Sequence, residues 1–126
     1  MNKVVHFEIP ADDLQRADDF YKSIFGWDIK AMPMPGGEYH IATTVAVDEN
    51  QMPKESGAIN GGLYKREKPE QRPVFYIDVP NIDEYLNKVE EKGGKVVTPK
   101  TPIPQMGAYA QITDTEGNVI GLFENA

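Results

Sequence analysis

Residues 4–27 read VVHFEIPADDLQRADDFYKSIFGW, and a change of period inside this stretch decides the fold. Val4 to Ile9 is a run of β-branched and aromatic residues without a breaker, which predicts a strand. Pro10 is expected to end it. Beyond it the period becomes helical: Leu14, Ala17, Phe20, Tyr21, Ile24 and Phe25 recur at the spacing of one helix face. Asp12 or Asp13 can accept from the free amides at the helix start, and Gly26 can end it in a left-handed turn. Trp27 to Met32 is the next strand, PMPGGE a turn, and Tyr39 to Val47 another strand. DENQMPKESG reads as a polar loop, and AINGGLY, despite its glycines, as a fourth strand.

The same signals return at a constant offset of 68 residues, where VVHFEIPADDL falls on RPVFYIDVPNI. Phe7 meets Phe75, Ile9 meets Ile77, Leu14 meets Ile82 and Gly26 meets Gly94. Pro73 to Val79 predicts a strand. Asn81 caps a helix carrying Ile82, Tyr85, Leu86 and Val89 on one face, with Asp83 and Glu84 at its positive end and Lys88 and Lys92 near its negative end. Lys95 to Thr98, Ala108 to Thr113 and Val119 to Glu124 are the later strands, with PKTPIPQMG a proline-rich loop and DTEGN a turn. The order is therefore βαβββ twice: a first module over about 1–65, a linker over 66–72 and a second module over about 73–126, within one domain. Each module is too small to bury a good core alone. The expected fold is α+β, two modules forming a curved, barrel-like mixed sheet with helices outside and a concave face for a ligand.

The 126-residue chain carries a formal charge of -7 and no long basic run, which argues against nucleic acid and against anionic membranes. It has no cysteine, so disulfides, thiolate ligands and cysteine nucleophiles are ruled out together, and a cytoplasmic location is expected. No secretory signal and no transmembrane helix can be placed.

The opening HFEIPADDLQRADDFYKSIFGW and the closing DTEGNVIGLFE resemble the vicinal oxygen chelate superfamily, the group of glyoxalase I, bleomycin-resistance proteins and extradiol dioxygenases. More narrowly the chain is similar to small proteins related to lactoylglutathione lyase. In metal-using members of that family four inward positions hold a divalent ion, which chelates neighbouring substrate oxygens. The resemblance places those positions at His6, Gly62, Val74 and Gly121. Only His6 can ligate, and tight divalent sites want three or more protein ligands. No resident metal is therefore expected, and the cofactor is left open. A rebuilt set would draw on His6, Glu8 and His40.

Strand parity points Glu8 with His6, and Val74 with Tyr76, into the cavity. A carboxylate there is costly unless paired, which makes His6 and Glu8 the candidate acid–base residues. Tyr76, Tyr64, Phe123, Trp27, Gly62 and Gly121 are the expected pocket residues. Two activities are open: an enzyme of lyase, isomerase or oxygenase type, or a non-catalytic binder that sequesters a drug-like molecule, for which the acidic charge suits a cationic ligand. The expected partners are a small molecule and, as is common in the family, a second copy in a homodimer.

Overall fold

The structure is a computed structural model that describes residues 1–34 and 37–126. The chain divides into two compact units, His6–Pro73 and Val74–Ala126 together with Met1–Val5. Each is a mixed sheet with one helix on it, in the order βαβββ.

The first unit holds β1 (Val4–Ala11, from His6 onward), α1 (Leu14–Phe25), β2 (Asp28–Met34), β3 (Gly37–Thr43) and β4 (Gly61–Lys65). Its strands lie in the order β2-β3-β4-β1, with β1 parallel to β4 and the other pairs antiparallel. Pro10 does not end β1: the strand continues to Ala11, whose carbonyl accepts from the Arg66 N–H at 2.9 Å. Ala11 thus turns its peptide groups toward β4, Pro10 turns its own away, and the missing N–H removes no rung of that ladder. The turn expected at PMPGGE includes residues 35 and 36, which lie outside the described residues. β3 also stops at Thr43, short of the expected Val47, and the chain from Thr44 is anchored by Asn60 instead, whose Oδ1 accepts from the Thr44 N–H at 2.7 Å.

Asp13 caps α1, accepting from the Arg16 N–H at 3.0 Å, and Gly26 ends it at φ 71°. The buried stripe of α1 is not the expected one. Leu14, Ala17, Asp18 and Tyr21 face the sheet, while Phe20 (53%), Ile24 (57%) and Phe25 (59%) remain exposed. A polar residue occupies the stripe because it has a buried partner on β3, described below. Losing the cap in Asp13→Ala should cost about 1 kcal/mol, read as a lower denaturation midpoint with an unchanged slope.

The second unit holds β5 (Val74–Asp78), α2 (Ile82–Glu91), β6 (Lys95–Ile103), β7 (Gly107–Thr113) and β8 (Val119–Asn125), in the sheet order β5-β8-β7-β6. Here the stretch PKTPI, expected as loop, extends β6, and Pro99 is absorbed by register shifts against β7 between Val96 and Thr101. The core joins Val79, Ala108, Ala110, Ile112 and Leu122 to Ile82, Tyr85, Leu86 and Val89 of α2.

Asn81 caps α2 through the Glu84 N–H, and the neighbouring Ile82 N–H is taken by Glu124 Oε1 at 2.8 Å. That backbone bond first, and then Lys100 at 3.3 Å, hold the Glu124 carboxyl below its ordinary 4.5. A carboxylate depressed in the folded state stabilises above its unfolded value and loses that contribution as pH falls through the folded one. Melting curves of the wild type and Glu124→Gln should therefore differ by a constant amount above pH 4.5 and converge below it.

Candidate functional site

Register sorts the paired strand side chains of the first unit onto two faces. The helix face carries Phe7, Ile9, Ala11, Ile29, His40, Ala42 and Leu63, and these pack with α1 or bond to it. The other face carries His6, Glu8 and Pro10 of β1, Gly62 and Tyr64 of β4, and Tyr39 and Ile41 of β3. Glu8 stands opposite Gly62, and Tyr39 opposite Tyr64.

On this second face the polar groups converge. His6 Nε2 lies 2.9 Å from Tyr39 Oη, one hydrogen bond whose direction the ring tautomer sets. Glu8 Oε2 lies 3.7 Å from the same nitrogen, beyond hydrogen-bond length but within electrostatic reach. Both side chains keep some access, 33% for His6 and 19% for Glu8. Burial, and next the charge of Glu8, push the Tyr64 phenol up from 10.0, with Glu67 adding to them against the opposing Arg66. Tyr64 thus stays a neutral O–H donor. The face offers an imidazole, a carboxylate and two phenols, a set able to move a proton and bind oxygen or nitrogen groups.

Tyr39 was not among the expected site residues. Its place follows from Gly62. A side chain on Gly62 would run into the Tyr39 ring, whose Cε1 lies 2.6 Å from an ideal Cβ and whose hydroxyl lies closer still. The absent side chain of Gly62 is the space that lets Tyr39 reach His6.

The second unit repeats the device with other residues. Gly121 lies under the ring of Tyr76, whose Cγ is 2.5 Å from an ideal Cβ. Tyr76 is 3% exposed, its hydroxyl accepts from Gln111 Nε2 at 2.9 Å, and its ring meets Tyr109 edge-on at 6.4 Å. Phe123 pairs with Tyr109 and Asp78 on the same face, away from α2, and Val74 is buried. Gln111 and Tyr109 escaped the sequence reading too, although their alternation with the core residues Ala108, Ala110 and Ile112 carries the signal.

Two expectations are corrected. Trp27 does not share the face of His6: it stacks on Tyr21 at 4.9 Å and packs with Phe7 in the helix-side core. His40 likewise faces α1, so a His6–Glu8–His40 set does not form. An open cleft lined by Asp12, Arg66, Glu67, Lys68, Pro69 and Arg72 lies in the same unit, but Arg66 is committed to Asp12 at 2.9 Å and Arg72 to the carbonyls of Pro69 and Gln71. The His6 face is the better candidate.

The model of the Glyoxalase/Bleomycin resistance protein/Dioxygenase superfamily matches residues 3–122. The chain belongs to that superfamily. Among its relatives, the Mycobacterium bovis protein CFP32, whose name assigns it only provisionally to the glyoxylases, is 31% identical over 122 residues. The match covers 93% of this chain but 43% of CFP32, so the chain spans less than half of that relative's length. A glyoxylase-like domain-containing protein of Didymella fabae is 32% identical, covering 88% of this chain and 84% of the relative. A hypothetical protein from Bacillus halodurans shares the fold with a TM-score of 0.70 at 16% identity, over 99% of this chain and 95% of that one. A variant of Streptomyces coelicolor methylmalonyl-CoA epimerase in complex with 2-nitronate-propionyl-CoA shares it at 0.71 and 13%, over 100% and 99%.

In metal-using members of the superfamily a divalent ion is held at four inward positions, which correspond here to His6, Gly62, Val74 and Gly121. The residues here do not fit one. Gly62 and Gly121 supply no donor and sit beneath tyrosine rings, and Val74 is a buried hydrocarbon. Among the described residues, no three histidine or carboxylate side chains form a metal-holding group. No helix among them is long and apolar enough to cross a membrane.

Proposed function

We propose that this glyoxalase-superfamily chain binds a small organic molecule without a metal, on the face of β1, β3 and β4 that carries His6, Glu8, Tyr39 and Tyr64. The observation that carries the reading is the Tyr39 ring lying over Gly62 with its hydroxyl on His6. The Tyr39 phenol fills the space over Gly62 and hydrogen-bonds His6, the one histidine at the family's ligand positions. Such a set suits proton transfer of the isomerase or lyase kind, with His6 as the base or acid, Tyr39 its proton partner and Tyr64 a neutral donor. A second reading keeps the same pocket without turnover, and the net charge of -7 together with the Glu8 carboxylate near Tyr64 favours it for a cationic ligand. Like many family members, the chain is proposed to pair as a homodimer, which light scattering would measure.

The test is a thermal-shift screen of small organic acids, carbonyl compounds and amines, in the presence of a chelator. Compounds that raise the wild-type melting temperature by several degrees should lose that shift in His6→Ala and keep only part of it in Tyr39→Phe. The same shift in all three proteins, or shifts that need an added divalent ion, would refute the assignment. Tyr39→Phe itself should cost about 1 kcal/mol of stability, the usual worth of one hydrogen bond.

A further inference from the structure

The chain leaves β3 at Thr43 and re-enters the sheet at Gly61, and one side chain closes the base of that loop. Oδ1 of Asn60 accepts from the Thr44 N–H at 2.7 Å, from the Thr44 hydroxyl at 3.1 Å and from the Val45 N–H at 3.3 Å. These partners fix which end of the amide is which. Two of the three are backbone N–H groups, which can only donate, so the atom they meet is the oxygen and not the nitrogen. The other edge of the amide, Nδ2, carries two N–H donors. Among the described residues no hydrogen bond uses them, and Asp18 Oδ1 is the single buried side-chain polar atom without a partner, so Nδ2 is open to solvent.

Register sets where those donors stand. Gly61 pairs with Phe7 of β1 and with Ala42 of β3. One step earlier, Asn60 falls between His6 and Thr43, in phase with Gly62 and Tyr64. Neighbouring strands lie about 4.8 Å apart, so Asn60 and His6 can hold one ligand atom between them.

We propose that Asn60 is a ligand-recognising residue of this face, donating from Nδ2 to an uncharged acceptor oxygen, a ketone, aldehyde or ester carbonyl, held beside His6. The rest of the face agrees with that chemistry. Tyr64 is a second donor in the same phase, its phenol kept neutral by burial and next by the charge of Glu8. Glu8 stands opposite Gly62, between the levels of Asn60 and Tyr64, and its charge works against a free carboxylate. Lys30 shares the face but belongs to β2, two strands from β4, and faces Asp28 at 3.6 Å. A neutral carbonyl therefore meets donors without meeting a like charge. This ligand class rests on the reading of the His6 face given above, while the orientation of the Asn60 amide stands without it.

The test compares matched probes by thermal shift in the presence of a chelator: acetophenone and cyclohexanone against 1-phenylethylamine and cyclohexylamine. In the wild type the ketones should raise the melting temperature by several degrees and the amines by less. Asn60→Asp keeps an oxygen for the Thr44 and Val45 donors but removes the Nδ2 donors. It should abolish the ketone shifts, enlarge the amine shifts and leave the urea midpoint near that of the wild type. Thr44→Val removes one bond to Oδ1 without touching Nδ2, so it should lower the midpoint and keep the ketone shifts. Ketone shifts that persist in Asn60→Asp but vanish in His6→Ala would overturn the Asn60 donor and leave the reading of the face standing. Ketone shifts unchanged by His6→Ala would overturn the placement beside His6. Ketone shifts absent from the wild type, or lost as fully in Thr44→Val as in Asn60→Asp, would overturn the assignment of Asn60 to the ligand.

Discussion

Gly121→Ala should lower the melting temperature by roughly 8–12 °C, about 2–3 kcal/mol for a chain of this size. The new methyl would overlap the Tyr76 ring, and that ring is 3% exposed and held by Gln111, so it has little room to swing. Pairing the change with Tyr76→Leu should cost less than the sum of the two single changes, because the second removes the ring that the first collides with. Gly62→Ala should behave differently. There the overlapping atoms are the far end of Tyr39, which is only partly buried and can move. The expected result is a smaller loss of stability but a lost Tyr39–His6 bond, and so a weakened ligand response in a folded protein.

His40→Ala is expected to destabilise by about 3–5 kcal/mol at neutral pH, since it leaves the Asp18 carboxylate buried without its partner. Asp18→Leu combined with His40→Leu should cost markedly less, because replacing both ends with apolar groups leaves no orphaned charge. Urea unfolding of the three proteins decides this. If the double change is as costly as the single one, the loss comes from packing volume and not from an orphaned carboxylate.

Much of this was legible in the residues. The doubled βαβββ order, the caps at Asp13 and Asn81 and the stop at Gly26 follow from local chemistry that needs no tertiary context. Pro10 does not mark the strand end because whether a missing N–H costs a bond depends on which side its neighbour lies. Residues 99–103 form strand and not loop because β7 recruits a proline-bearing stretch through register shifts that no local signal announces. The helix face of α1 failed for a physical reason as well. Hydrophobicity alone places Phe20, Ile24 and Phe25 inward, but Asp18 has a buried hydrogen-bond partner in His40 at 2.7 Å and lies in the stripe instead.

At the site, the sequence marked His6 and Glu8 by strand parity and marked the vacancies at Gly62 and Gly121. What fills those vacancies, Tyr39 in one unit and Tyr76 in the other, depends on cross-strand geometry, and a single sequence scan does not carry it. Trp27 and His40 look like site residues in sequence because an aromatic and an imidazole invite that reading. One step of strand or turn geometry puts both on the helix side.

The most direct test of a metal-independent site is the metal content of untagged protein after equilibration with zinc, nickel and manganese and removal of the unbound ions. The account predicts far less than one equivalent retained, the same in wild type and in His6→Ala. One equivalent held by the wild type and lost in His6→Ala would contradict it.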